Sequence, residues 1–468
     1  MEEELSVCLI NDSFPPLIDG VANTVKNYAD IINKNYGKAI AAAPYYPTAD
    51  DSAFSYKVVR FPSINTEKLV GYRAGFPFSS ETLEEIKSEN INIIHTHCPF
   101  TSAFLARTLR EPLDAPVIFT YHTKFDIDIA AAVKNRYIRK KVLKQLVKNI
   151  EACDEVWVVS EGAGENLKSI GYSGEYIVMQ NGVDIPKGRV PEADIEKAAA
   201  GYDLPKDVPV FLFVGRMAWY KGIKTIIDSL AMIKERGDDF RMVFIGGGRN
   251  FEEIKEYAKK LGTAENCIFT GPIHERDTLR AWYCRADLFL FPSVYDTNGL
   301  VVREAAACGL ASLLIEKSCA AEGIAEGETG FLCENTKESF AEKLHFLCRN
   351  RSIAKTVGQN AMEKIYISWE DSVKAAAERY KIVLKNYRDG KYERETSFAD
   401  EWFGAEGEIL DGINRARRAR KRLEKAALHY GREKNAKIKN SAKEFYRGVN
   451  EKSRKIKIAF RKKLDKFF

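Results

Sequence analysis

Short apolar runs alternate with amphipathic helical runs along most of this chain, and they do so in two series. The first series has strand-like runs at 6–10, 39–43, 91–95, 117–120, 155–159 and 176–179. The second has them at 210–214, 241–245, 267–269, 288–291 and 311–314. Strands that alternate with helices predict parallel sheets covered by helices, and two such series predict two doubly wound α/β domains. Pro186, Pro191, Pro205 and Pro209 punctuate the link between them. The predicted domains are 1–188 and 205–365, with a helical run at about 366–388 and a basic helical tail at 390–468. In an open parallel sheet, ligands gather past the carboxyl ends of the strands. The loops after the strands are therefore where chemistry is expected.

A length of 468 residues exceeds one ordinary core. No run approaches the roughly 20 apolar residues that span a bilayer. The first residues, Met1-Glu-Glu-Glu4, are acidic and lead into a strand, unlike a secretory signal. Nine cysteines without paired spacing point to reduced thiols, so a cytoplasmic location is expected. The net charge of +6 hides an asymmetry. Residues 412–468 hold 21 Lys and Arg against 5 Asp and Glu, a local charge of +16, which leaves −10 on the rest.

Several strand-end loops carry chemistry-bearing residues. Gly215-Arg216 to Lys221-Gly222 joins a strand to a helix; Arg216 can grip a phosphate bidentately and Lys221 adds a point charge. Gly246-Gly-Gly248 follows the next strand but lacks the Lys-Ser/Thr of a phosphate-cradling P-loop. In Pro292-Ser-Val-Tyr-Asp296-Thr-Asn298-Gly299-Leu300-Val-Val-Arg-Glu304, two acids flank a turn that leads into a helix. Backbone N–H groups at such a turn suit anionic or hydroxyl-rich ligands. In the first domain, Asp19-Gly20 opens a helix, and Gly20 could approach a phosphate.

The segment Asp296–Glu304, preceded by Arg216 and Lys221, resembles the nucleotide-sugar motif of retaining glycosyltransferases of family 4. His95-Thr-His97-Cys-Pro-Phe100 and Thr120-Tyr-His122-Thr123 resemble its diacylglycerol glucosyltransferase and lipid mannosyltransferase branch. The resemblance covers roughly residues 5–385. It implies the GT-B fold, two Rossmann-like domains facing a cleft, with the helix near 366–388 crossing back onto the first domain. It implies that Arg216 and Lys221 neutralise a diphosphate, Glu304 accepts from ribose hydroxyls, and Asp296 lies near the donor sugar. Gly215, Gly246 and the N–H groups of Asn298, Gly299 and Leu300 are implied to serve the donor. His122 is carried over as a hydrogen-bonding stabiliser near the reacting oxygens. Two departures stand out: Asp296 where the family usually has Glu, and Asp19 in place of the first glycine of a Gly-Gly loop. The implied mechanism is front-face transfer, in which the leaving phosphate helps deprotonate the acceptor. No cofactor or metal is expected beyond the nucleotide-sugar co-substrate.

The expected activity is hexosyl transfer from UDP-glucose to a lipid acceptor such as diacylglycerol, on the inner face of a membrane. The alternatives are a mannosyl- or galactosyltransferase of the same family, and a non-catalytic nucleotide-sugar or membrane-binding protein. A metal site built from His95, His97, Cys98 and His122, or from Asp126 and Asp128, is weighed and not favoured. Two basic segments suit an anionic membrane surface. One is the run from Lys134 to Ile150; the other is the tail, where Ile456, Phe460, Leu464, Phe467 and Phe468 recur at helical spacing among lysines and arginines. A nucleic-acid partner is not favoured, since no recognition motif accompanies the basic tail.

Overall fold

A computed structural model describes residues 4–17, 19–67 and 72–392, together with Asn414, Arg418 and Ala419. The described residues fall into two compact units. One lies within Met1–Trp157, Leu167–Ile177 and Val373–Phe468; the other comprises Val158–Asn166 and Val178–Ser372.

The first sheet has seven strands: β1 (Leu5–Ile10), β2 (Gly37–Pro44), β3 (Val58–Phe61), β6 (Ile93–Thr96), β7 (Val117–Tyr121), β8 (Glu155–Val158) and β9 (Ile177–Val178). Their order is β3-β2-β1-β6-β7-β8-β9. A two-stranded antiparallel pair, β4 (Ser63–Ile64) with β5 (Ala74–Gly75), stands apart from it. The second sheet has six strands: β10 (Val210–Val214), β11 (Arg241–Ile245), β12 (Cys267–Gly271), β13 (Leu288–Phe291), β14 (Ser312–Ile315) and β15 (Phe331–Cys333), in the order β12-β11-β10-β13-β14-β15. β1 pairs in parallel with both β2 and β6, and β10 with both β11 and β13. Each sheet thus winds outward in both directions from one strand. That leaves a switch point between β1 and β6, and another between β10 and β13.

The strands are Val-, Ile-, Leu- and Phe-rich because both faces are covered by helices. Every residue of β7, β10 and β13 is buried. Phe211, Phe213, Phe289 and Phe291 pack with the helix Ile223–Glu235 in one continuous core. A buried ion pair braces this framework. Asp154 accepts from Val117 N at 2.7 Å and faces Arg110 at 3.1 Å, with 0% and 6% of their side chains exposed.

Two edge strands escape the sequence pattern. β3 reads Val-Val-Arg-Phe, with Arg60 drawn aside by Asp51 at 2.6 Å, and β15 is three residues long. The run at 176–179 contributes only Ile177–Val178. Asp126 and Asp128 lie in the first turn of the helix Phe125–Ala132. The expected helix near 366–388 is Trp369–Arg388. All nine cysteines are free thiols. No helix among the described residues is long and apolar enough to cross a membrane.

Apart from Gly390, Lys391, Tyr392, Asn414, Arg418 and Ala419, the basic tail lies outside the described residues. Asn414 donates to Ser80 O at 2.5 Å, and Arg418 faces Glu84 at 3.4 Å.

Asp154→Ala leaves the Arg110 guanidinium buried and the Val117 N–H without its acceptor. A loss of about 3 kcal/mol is expected, measured by urea denaturation of the whole protein.

Candidate functional site

The two switch points place two groups of polar residues, one in each unit. In the second unit, the loop after β10 and the loop after β13 lie side by side. Gly222 ends the first loop with a φ of +77°, and a Cβ there would stand 2.3 Å from Pro292 O. Only glycine permits that approach, which brings Lys221 beside the β13 loop. Lys221 Nζ reaches Asp296 Oδ1 at 2.5 Å, with 17% and 18% of the two side chains exposed. The two residues read separately in the sequence are one ion pair across the switch point. Arg216, one residue past Gly215, is exposed and donates to Tyr220 OH at 3.2 Å.

Asp296 Oδ2 is buried without a hydrogen-bond partner among the described residues, as are both amide atoms of Asn298 and Ser293 Oγ. Asn298 is 7% exposed. Buried polar atoms are ordinarily satisfied, so a group of orphans in one loop marks a place for a polar ligand. The loop is held by Ser160, which donates to Thr297 O. It runs into the helix Leu300–Ala307, whose cap residue Gly299 has no side chain to bond the first-turn N–H groups. That helix start is electropositive and suits an anion or an oxygen-rich group.

Glu304 lies one turn into the same helix. Its Oε2 accepts from Tyr283 OH at 2.9 Å, and its Oε1 lies 3.5 Å from Arg276, which also pairs with Asp184 at 2.8 Å. Burial raises the Glu304 carboxyl above its ordinary range, and Arg276 and Tyr283 offset part of that. Tyr283 and Arg276 carry no local signal of this role, because both lie on the preceding helix, Tyr283 21 residues from Glu304.

Gly246 serves packing. A Cβ there, at φ +142°, would fall 1.9 Å from Gly215 O, so the loops after β10 and β11 meet backbone to backbone. The sequence reading assigned this glycine to ligand approach alone.

In the first unit, Asp19 caps its own helix, accepting from Val21 N at 2.9 Å and Ala22 N at 2.7 Å. Its carboxylate is thereby committed to the fold. A Cβ on Gly20 would meet nothing within 4 Å, so the fold itself does not require glycine there.

His97 follows β6 and His122 follows β7. His97 Nδ1 lies 3.0 Å from His122 Nε2. His95 uses both nitrogens, with Nδ1 2.6 Å from Tyr380 OH and Nε2 2.7 Å from Thr120 Oγ1. Both His95 nitrogens are thereby engaged within the protein. Among the described residues no group of three or more His, Cys, Asp or Glu is placed to hold a metal ion. Burial lowers all three imidazoles well below their ordinary value, His122 to about 3. They are neutral near pH 7.

Two doubly wound domains with polar loops at their switch points are the architecture of GT-B glycosyltransferases. Residues 18–187 match the family model Glycosyltransferase Family 4, and residues 194–364 match Glycosyl transferases group 1. The chain is 26% identical over 312 residues to alpha-monoglucosyldiacylglycerol synthase of Streptococcus pneumoniae, covering 65% of this chain and 70% of that protein. Sucrose-phosphate synthase from Thermosynechococcus elongatus matches with a TM-score of 0.66 at 21% identity, over 82% of this chain and 100% of that one. Anabaena Alr3699/HepE in complex with UDP and glucose matches at 0.63 and 16% identity, over 80% of this chain and 99% of that one. This chain belongs to glycosyltransferase family 4 and is a hexosyltransferase.

Lys221→Ala leaves the Asp296 carboxylate partly buried and unpaired. It is expected to cost ~2 kcal/mol, between the values for exposed and buried pairs, and the double variant with Asp296→Ala should cost less than the sum of the two single changes. Urea midpoints of the four proteins measure this. A second expectation concerns pH. His122 is protonated more readily in the unfolded chain, so its contribution is complete above about pH 6.5 and falls as pH drops toward about 3. The loss is about 1.4 kcal/mol per pH unit within that window. His122→Gln should flatten the fall of the urea midpoint between pH 6 and 4.

Proposed function

We propose that this enzyme is a retaining glycosyltransferase that moves glucose from UDP-glucose to the hydroxyl of a lipid such as diacylglycerol at an anionic membrane surface. The main support is the loop after β13. Asp296 Oδ2 offers an acceptor and the Asn298 amide offers both donor and acceptor, all buried and unpartnered among the described residues. That is the complement of a hydroxyl-rich group. Arg216 and Lys221 on the adjacent loop, and the uncapped helix start at Leu300, supply positive potential for the attached diphosphate. Charge on the leaving diphosphate grows as the glycosidic bond breaks, so these groups favour the transition state over the bound donor. Lys221 is held by Asp296 and need not reorganise far. Glu304, fixed by Tyr283 and Arg276, is the group for the ribose hydroxyls. His122, neutral and buried, is a hydrogen-bonding group rather than a cation, and the acceptor proton leaves through the departing phosphate.

The choice of sugar and acceptor draws on similarity. The Streptococcus pneumoniae relative is an alpha-monoglucosyldiacylglycerol synthase. Anabaena Alr3699/HepE was also solved in complex with UDP-glucose. The membrane surface is suggested by the helix Arg136–Glu151. Its first half exposes Tyr137 and Ile138, at 67% and 50%, among the exposed cations Arg136, Lys140, Lys141 and Lys144. Apolar tips within a basic patch suit an anionic bilayer interface.

The test is a donor-by-acceptor screen of the full-length protein with UDP-glucose, UDP-galactose and GDP-mannose. Acceptors are diacylglycerol vesicles with and without anionic lipid, and products are read by mass spectrometry and NMR. The expected product is an α-glucosyl lipid, formed faster on anionic vesicles, with Arg216→Ala slowing turnover by about 100-fold. A β-linked product, or turnover confined to GDP-mannose or to soluble acceptors, would overturn the corresponding part of the proposal.

A further inference from the structure

His97 stands in a row of three imidazoles at the carboxyl ends of β6 and β7. On one side lies His95, ring centroid 4.1 Å away at 36°. On the other lies His122, at 5.2 Å and 29°. Tyr28 meets His97 edge-on at 5.9 Å. His95 itself is pinned between Tyr380 and Thr120, so the row has a fixed base. His97 is 2% exposed, and its Nε2 is buried without a partner among the described residues.

The 3.0 Å bond between His97 Nδ1 and His122 Nε2 carries one proton, which stands on one nitrogen or the other. If it stands on His122 Nε2, neutral His97 must carry its own proton on Nε2, a buried N–H with nothing to receive it. If it stands on His97 Nδ1, the orphan is a bare lone pair. A stranded buried N–H is the rarer of the two. We infer that His97 is a positioning residue that donates from Nδ1 to His122 Nε2 and so holds His122 in its Nδ1–H tautomer. His122 then carries its proton on Nδ1, and its one lone pair is engaged by His97. It is fixed as a donor and is unsuited to act as a base. The catalytic consequence rests on the role proposed above for His122; the tautomer does not.

The experiment uses full-length protein labelled with 15N at its six histidines. Long-range proton–nitrogen correlation spectra at pH 7 report the tautomer of each ring, and His122 is assigned by its loss in His122→Gln. The expected spectrum has a protonated Nδ1 and a lone-pair Nε2 for His122. His97→Asn keeps a donor near the Nδ1 position, and should retain that tautomer and turn over within about 3-fold of the parent. His97→Leu removes the donor. It should shift the His122 tautomer and lower kcat about 10-fold with little change in donor KM. An Nε2–H tautomer of His122 in the parent protein overturns the inference, whatever the variants do. So does a His97→Leu protein with the parent tautomer and kcat. If His122→Gln transfers normally while the spectra are as expected, the role of His122 in transfer falls and the hydrogen-bond assignment stands.

Discussion

Strands buried on both faces leave most polar side chains to the loops at their ends. In this chain that constraint does most to arrange the chemistry. β10 and β13 are wholly buried, and their next residues are Gly215-Arg216 and Pro292-Ser293. β6 and β7 end in His97 and His122 in the same way. Each sheet switches direction beside these ends, so neighbouring helices go to opposite faces and the loops between are left open to one another. The Lys221–Asp296 bond and the His97–His122 bond are both products of this geometry. Residues distant in the chain are brought together because their strands are neighbours.

The periodic part of this arrangement was legible in the sequence, since alternating apolar and amphipathic runs report directly on strand and helix. The strand-end loops were legible too, through Gly215, Gly222 and the Asp296–Glu304 spacing. Pairing across the loops was not. Nothing local ties Lys221 to Asp296, 75 residues on, or Glu304 to Tyr283, which reads as a core aromatic. His95 looked like a potential ligand because its partners, Thr120 and Tyr380, come from a different strand and from a helix 285 residues away. Short edge strands were missed for a related reason: three or four residues hold too little periodicity to stand out.

The two departures from the family pattern have physical accounts. Asp19, where a glycine is usual, caps the helix that begins at Gly20. Its charge is spent on two backbone N–H groups of its own chain. Asp296, where glutamate is usual, has the shorter side chain and is bonded to Lys221. In both cases an acid that departs from the family pattern has an intramolecular partner.

The Lys221–Asp296 bond also bears on discrimination. With its ammonium already matched by a carboxylate, Lys221 can turn to an anion only by loosening its bond to Asp296. A bare phosphate that drew the lysine away would leave Asp296 with neither oxygen paired, in a loop where its second oxygen and the Asn298 amide already lack partners. A ligand that brings hydroxyl groups along with its phosphates can settle all of these at once. On the function proposed above, the pair disfavours ligands that bring only a phosphate and favours those that bring hydroxyl groups as well.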